Sequence, residues 1–226
     1  MLDILYRDDV LIAINKPHGL MVHRSKIADD TDVFALQLLR DQIGQTVYPV
    51  HRLDRKTGGA LLFALNKETE KTMQQQFMNK EVTKKYLAIV RGYTEPQGEI
   101  DYPLRKENGT LQDAFTAYTT LKQAELPIAF GKFETSRYSL IEAMPTTGRM
   151  HQLRKHFKHI FHPIIGDRTH GCNKQNKLWW EQWQMDTMLL HASELTFSHP
   201  ASRENISITA PLRPEFEHVM RLLSWL

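Results

Sequence analysis

The chain has 226 residues, 41% of them hydrophobic, and carries 29 Lys and Arg against 26 Asp and Glu, a formal net charge of +3. That size and composition support a buried core without staples and exclude disorder, while a single cysteine, Cys172, excludes an internal disulfide framework and any CxxC metal or redox pair. No apolar run reaches the roughly 18 residues of a membrane helix, and Asp3, Arg7, Asp8 and Asp9 break the order of a signal peptide, so a cytoplasmic protein is expected. Residues 2–6 and 10–15 flank Arg7-Asp8-Asp9 and predict a hairpin that leads into a Lys16-Pro17-His18-Gly19 turn. Asp32 suits the cap of a helix carrying Val33, Leu36 and Ile43, and Asn66 that of a helix placing Met73 and Phe77 four apart. Residues 59–65, 85–90, 138–143, 189–197 and 206–209 read as strands, several apolar on both faces and therefore central. Pro214 fits the first turn of a last helix whose Phe216, Val219, Met220 and Leu223 follow the i, i+3, i+4, i+7 spacing of one buried face. Strands with irregularly interspersed helices predict an α+β fold with a mixed, largely antiparallel central sheet and flanking helices. The chain shows no repeat, low-complexity tract or linker.

Charge is uneven. Residues 146–170 hold Arg149, Arg154, Lys155, Lys158 and Arg168 against Asp167 alone, so this window is +4 and the rest of the chain −1. A concentrated basic stripe is what a polyanion partner requires, although a solvated charged helix has the same composition.

The segment His51-Arg52-Leu53-Asp54-Arg55-Lys56-Thr57-Gly58-Gly59 places an acid between two arginines and ends on paired glycines before a strand. Guanidinium groups nearby favour the charged form of a carboxylate, and an ionised carboxylate can act as a nucleophile. Spacing alone leaves a surface ion-pair loop as the commoner explanation.

Six blocks taken together resemble the RluA-type pseudouridine synthases. They are Ala13-Ile14-Asn15-Lys16-Pro17 with Gly19 and His23; the HRLD loop; Lys85-Tyr86-Leu87-Ala88-Ile89-Val90 with Gly92; Thr147-Gly148-Arg149-Met150-His151-Gln152-Leu153-Arg154; His162-Pro163-Ile164-Ile165-Gly166-Asp167; and Leu190-His191-Ala192. They follow the family order over residues 13–192. His170-Gly171 and the segment 190–195 look most like the branch that modifies uridine 65 in the tRNA acceptor stem, with rRNA as the alternative substrate.

The resemblance implies an isomerase that detaches uracil from ribose, rotates it and rejoins it through C5, with no cofactor and no metal. It implies Asp54 as nucleophile, Arg154 as the arginine that pairs with it, and Tyr86 as the tyrosine near the target uracil and a candidate for moving the proton. A carboxylate beside C1′ and a bidentate guanidinium suit such chemistry. His51 and Arg52, with Arg149, Lys155 and Lys158, are the residues expected to meet RNA, Arg52 entering the helix where the uridine leaves. One catalytic domain over 1–226 is expected, or two subdomains flanking an RNA-binding cleft. No membrane and no obligate protein partner is implied. The first block begins at Ala13, which predicts no appended N-terminal S4-type RNA-binding domain. Gly58 stands where the family commonly has Ser, which predicts a looser turn. Thr147 is expected to cap the helix that carries Arg154.

Two other readings compete. His151, His156, His159 and His162 are spaced five, three and three apart near Cys172, but no carboxylate accompanies them in the usual metal-ligand spacing. A non-catalytic RNA-binding module would use the same stripe without needing Asp54. The Met73/Phe77 pair and the Trp179, Trp180, Trp183 cluster are expected to pack a core rather than stack on bases.

Overall fold

The computed structural model describes residues 1–23 and 33–226. Along the chain, β1 (Asp3–Arg7) and β2 (Leu11–Lys16) are followed by α1 (Ala35–Ile43), β3 (Tyr48–Pro49), β4 (Gly58–Ala64) and α2 (Lys67–Met78). Then come β5 (Thr83–Arg91), β6 (Gln97–Asp101), β7 (Leu104–Arg105), β8 (Leu111–Gln112), β9 (Phe115–Leu126) and β10 (Ser136–Pro145). Helices α3 (Gln152–His159) and α4 (Asn173–Trp183), strands β11 (Leu190–Ser198) and β12 (Asn205–Thr209), and α5 (Pro214–Leu222) complete the order. The elements form two units, one of Met1–Lys84 with Ala192–Pro211 and one of Lys85–His191 with Leu212–Leu226.

In the first unit, two uninterrupted apolar runs make the middle of the sheet. Strands β2 and β4 are buried along their whole length and pair antiparallel from Leu11 opposite Ala64 to Lys16 opposite Gly59. β1 extends the sheet on β2, β3 pairs with β4, and β11 lies beside β4 with β12 antiparallel on its far side. Leu11, Leu62, Met73, Phe197 and Ile208 share one core cluster, and side chains of that size contribute about 1.5–3 kcal/mol each when buried. Met73 comes from α2, whose N-cap Asn66 accepts from Thr69 N at 2.8 Å, as its sequence position predicts. Helix α1 starts at Ala35, so Val33 precedes it, and the expected cap Asp32 lies outside the described residues.

In the second unit, β5, β10, β9 and β6 form an antiparallel series, with β7 and β8 as a short hairpin. One core holds Ile89, Tyr138 and Leu140 from the strands against Trp179 of α4 and Phe216, Val219 and Met220 of α5. A second holds Ala88, Val90, Ile141 and Ala143 against Leu153 and Phe157 of α3. Adjacent residues of β5 therefore serve opposite faces, as strand alternation requires. Trp179 is fully buried and Trp183 packs on the same cluster, while Trp180 is exposed. The fold is α+β, with largely antiparallel sheets and flanking helices. Among the described residues no helix is long and apolar enough to cross a membrane.

Candidate active site

Two segments of the first unit lock the Asp54 loop in place. Lys16, at the end of β2, is fully buried, and its Nζ donates to the carbonyls of Pro17 (2.9 Å), Leu20 (2.7 Å) and Arg55 (3.0 Å). Three N–H groups thus meet three acceptors, which is what a buried ammonium needs. Burial pushes Lys16 down to about 7, against the opposing pull of the Asp54 charge. Gly19 N donates to Arg55 O (2.9 Å) and Arg55 Nε donates back to Gly19 O (3.0 Å), so the turn after β2 and the loop before β4 are stitched in both directions.

Within the loop, Leu53 is buried as an anchor, Arg52 and Arg55 are exposed, and Asp54 is half-buried between them. Thr57 N donates to Asp54 O at 3.0 Å and closes the turn. His51 is engaged inside this unit: its Nε2 accepts from Leu62 N (3.0 Å) and its ring stacks on Phe77 with centroids 4.8 Å apart. Burial, helped by the Lys84 charge, pushes His51 down to about 3, so the ring stays neutral and offers no positive charge to a phosphate.

At Gly58 a Cβ would sit 2.6 Å from His18 Nε2 and 3.3 Å from Lys16 O, so the His18 ring occupies the space that a side chain there would take. At Gly59, φ is +106° and a Cβ would lie 2.2 Å from Ala192 O, so only glycine lets β4 approach β11 this closely.

In the second unit Tyr86 is half-buried on β5, opposite Ala143 of β10 and against the edge of the Leu153 core. Arg154, on α3, is itself buried, and its fork closes on Asp167: Nε to Oδ2 at 2.7 Å and Nη2 to Oδ1 at 2.9 Å. Asp167 Oδ1 also accepts from Thr169 N (2.9 Å) and His170 N (3.0 Å). Burial alone raises the Asp167 pKa, but the Arg154 bonds and these two amides outweigh it and hold the carboxyl below its ordinary value. A guanidinium has five N–H donors, of which Asp167 takes two.

The loop around Asp167 is tightly determined. Gly166 has φ +79° and lies where a Cβ would meet Thr187 O at 2.0 Å, and a Cβ on Gly171 would meet Asp167 O at the same distance. The sequence does not mark Asp167 as a partner of Arg154, because the two are 13 residues apart with a helix end and a turn between them. Its only signal is the Gly166-Asp167 match.

Helix α3 differs from expectation at its start. It begins at Gln152, after a left-handed His151, and Thr147 does not cap it: Thr147 Oγ1 meets Gln152 Oε1 (2.6 Å) and accepts from Phe115 N (3.2 Å). The Gln152 carbonyl oxygen instead reaches back to Arg149 N (3.0 Å). Arg149 Nε donates to Asp113 O (3.0 Å), Lys155 is half-buried and Lys158 exposed. The four histidines considered as metal ligands have separate uses. His156 contacts Thr116 Oγ1 and Tyr102 O (3.0 Å each), His159 stacks on Tyr102, His162 Nδ1 lies 2.8 Å from Arg91 O, and His151 Nδ1 lies 2.9 Å from His170 Nε2. Burial pushes His170 down to about 4, against the pull of the Asp167 charge. Among the described residues no group of three His, Cys, Asp or Glu is placed to hold a metal ion.

The model of the RNA pseudouridylate synthase family matches residues 10–159. The tRNA pseudouridine synthase C of Haemophilus ducreyi is 48% identical over 99% of this chain and 96% of its own length. The protein of the same name from Vibrio vulnificus is 44% identical over 100% and 96%. Among solved structures, human RNA pseudouridylate synthase domain containing 1 shares the fold with a TM-score of 0.75 at 24% identity, over 100% of this chain and 96% of that one. Human RNA pseudouridylate synthase domain containing 4 gives 0.74 at 27%, over 98% and 93%.

Proposed function

The chain belongs to the RNA pseudouridylate synthase family, and we propose that it isomerises one uridine of tRNA, uridine 65, to pseudouridine in the cytoplasm. The observation that carries this reading is the likeness to tRNA pseudouridine synthase C, which extends over nearly the whole of both chains. The bond between N1 and C1′ breaks, the uracil turns, a bond between C5 and C1′ forms, and the proton lost from C5 is matched by one taken up at N1, so no atom is gained or lost. Asp54 is the nucleophile that traps positive character at C1′. Tyr86 is the group beside the uracil that moves the proton, and Arg154 is the guanidinium paired with the nucleophile. The Lys16 tether supports the first role, because a loop held from both sides keeps a carboxylate in one orientation. The buried fork on Asp167 supports the third, because it fixes the rotamer of Arg154 before substrate arrives. RNA is gripped by Arg52, Arg149, Lys155 and Lys158. Mapping pseudouridine in tRNA and rRNA from cells with and without this protein tests the reading. Loss of pseudouridine 65 from tRNA is the expected result, and an unchanged tRNA map, or a loss confined to rRNA, contradicts it.

A further inference from the structure

The loop that carries Asp167 lies against α4, and Asn176 in the first turn of that helix holds it by its main chain. Asn176 Oδ1 accepts from Gly166 N and its Nδ2 donates to Asp167 O, each at 2.9 Å. One planar amide, with an acceptor and a donor side by side, thus satisfies an N–H and a carbonyl of two consecutive residues. Asp167 O also accepts from Gly171 N at 3.0 Å. Asn176 falls between two of the six sequence blocks, so the resemblance gives it no part.

The clamp stands on the core of the second unit. Trp179, three residues further along α4, is fully buried, and Gln175, also buried, donates from Nε2 to the Tyr138 hydroxyl. These two neighbours fix the rotation of the helix and with it the direction of the Asn176 amide. Asp167 in turn holds Arg154 through the fork of 2.7 and 2.9 Å. A continuous series of contacts therefore runs from the Trp179 core through Asn176 and Asp167 to the guanidinium.

We propose that Asn176 is a positioning residue for Arg154, acting through the backbone on either side of Asp167. The assignment rests on the reading of Arg154 as the group paired with the nucleophile. A fork aims a guanidinium only as well as its carboxylate is itself placed, and Asp167 sits on a loop that has to be held from outside. Small displacements of a positioned group are costly, because an error of about 1 Å can lower turnover a hundredfold.

The test uses the full chain with Asn176→Asp. The new carboxylate keeps the acceptor for Gly166 N but sets an oxygen against Asp167 O, donor replaced by acceptor. It lies in the first turn of α4, where added negative charge suits the helix, so the fold is retained. At neutral pH, kcat on tRNA should fall about tenfold to a hundredfold while KM stays within about twofold. Protonation of the carboxyl restores an O–H donor to Asp167 O, so the ratio of variant to parent kcat should rise as pH falls. Asp167, Arg154 and His170 are common to both proteins, and the ratio cancels their own titration. Asn176→Ala, which removes both bonds, should lower kcat at every pH, and in an Asp167→Asn background it should add little further loss. A readout independent of turnover is solvent exchange of the Arg154 Nε–H, followed by heteronuclear NMR and assigned by its disappearance in Arg154→Lys. Both Asn176 variants should speed that exchange and leave the amides of the Trp179 core protected as in the parent. Parental kcat with slow Nε–H exchange in a folded Asn176→Asp or Asn176→Ala protein would overturn the assignment, as would full additivity with Asp167→Asn. If the parent forms no pseudouridine in tRNA, the reading of the reaction fails, and the exchange measurement still decides whether Asn176 places Arg154.

Discussion

Replacing Asp167 by Asn preserves shape and removes the charge from a buried carboxylate that accepts four N–H donors. Oδ1 takes Arg154 Nη2 and the amides of Thr169 and His170, and Oδ2 takes Arg154 Nε. An amide that keeps its oxygen at the Oδ1 position turns its NH2 toward Nε, donor against donor. The reverse orientation leaves three donors facing an NH2 and is worse. Removing one partner of a buried ion pair costs about 3–5 kcal/mol, because the remaining charge is stranded. Since the amide oxygen retains three of the four contacts, the lower end, about 3 kcal/mol, is the expected loss. That is a large share of a typical 5–15 kcal/mol, and urea unfolding at unchanged m-value reads it. The acid limb gives a second readout. The folded-state pKa of Asp167 is depressed, so its contribution is present above the unfolded carboxylate value of about 3.9 and is lost as pH falls through the lower folded value. The Asn variant should lack that part of the acid unfolding. Because Arg154 loses the group that fixes its rotamer, kcat on tRNA should fall more than KM rises. A loss below about 1 kcal/mol together with parental kcat would refute the argument.

Arg154→Lys should behave as a severe substitution, because an ammonium cannot span Oδ1 and Oδ2. We expect a drop in kcat of about a hundredfold, in line with the cost of misplacing a group by an ångström, and near-parental kinetics would remove the fork from the mechanism. Gly58→Ser should destabilise the chain by about 1–3 kcal/mol through its clash with the His18 ring, and an unchanged thermal midpoint would show that the ring yields freely. Lys155→Ala with Lys158→Ala should flatten the dependence of log affinity on log salt from an expected slope of roughly −3 to −4 by up to about two units. An unchanged slope in affinity measurements on tRNA across a salt series would place the RNA path elsewhere.

The elements that were legible from sequence are those whose own pattern determines them. β2 and β4 are continuous apolar runs, α2 has an Asn cap three residues before a buried Thr69–Met73 face, and α5 has Pro214 followed by one apolar stripe. Strand β9 was not legible, although it is the longest described. The apolar residues of its FTAYTTLKQAEL fall at 115, 117, 118, 121, 124 and 126, out of step with a period of two, and only Thr116 and Tyr118 are buried, so neither a two-sided nor an alternating signal stands out. The start of α3 was misread because Gln152, not Thr147, supplies the side chain that meets Arg149 N. The position of Asp54 between two arginines was visible at once, yet the supports that make it a site were not. Lys16 reaches Arg55 O from 39 residues away, and Asp167 meets Arg154 only after the chain has turned. Local spacing carries no trace of contacts that depend on the tertiary path.

The chemistry depends most directly on the Asp54 carboxylate. Purified parent and Asp54→Asn proteins should be incubated with an unmodified tRNA transcript, and pseudouridine then mapped along it. The parent should form one pseudouridine, at position 65, and Asp54→Asn, with parental unfolding and undiminished tRNA affinity, should form none, because the amide keeps the shape and loses the nucleophile. Turnover by the Asn protein at even about a tenth of the parental rate, far above what loss of a covalent nucleophile allows, would contradict the assignment.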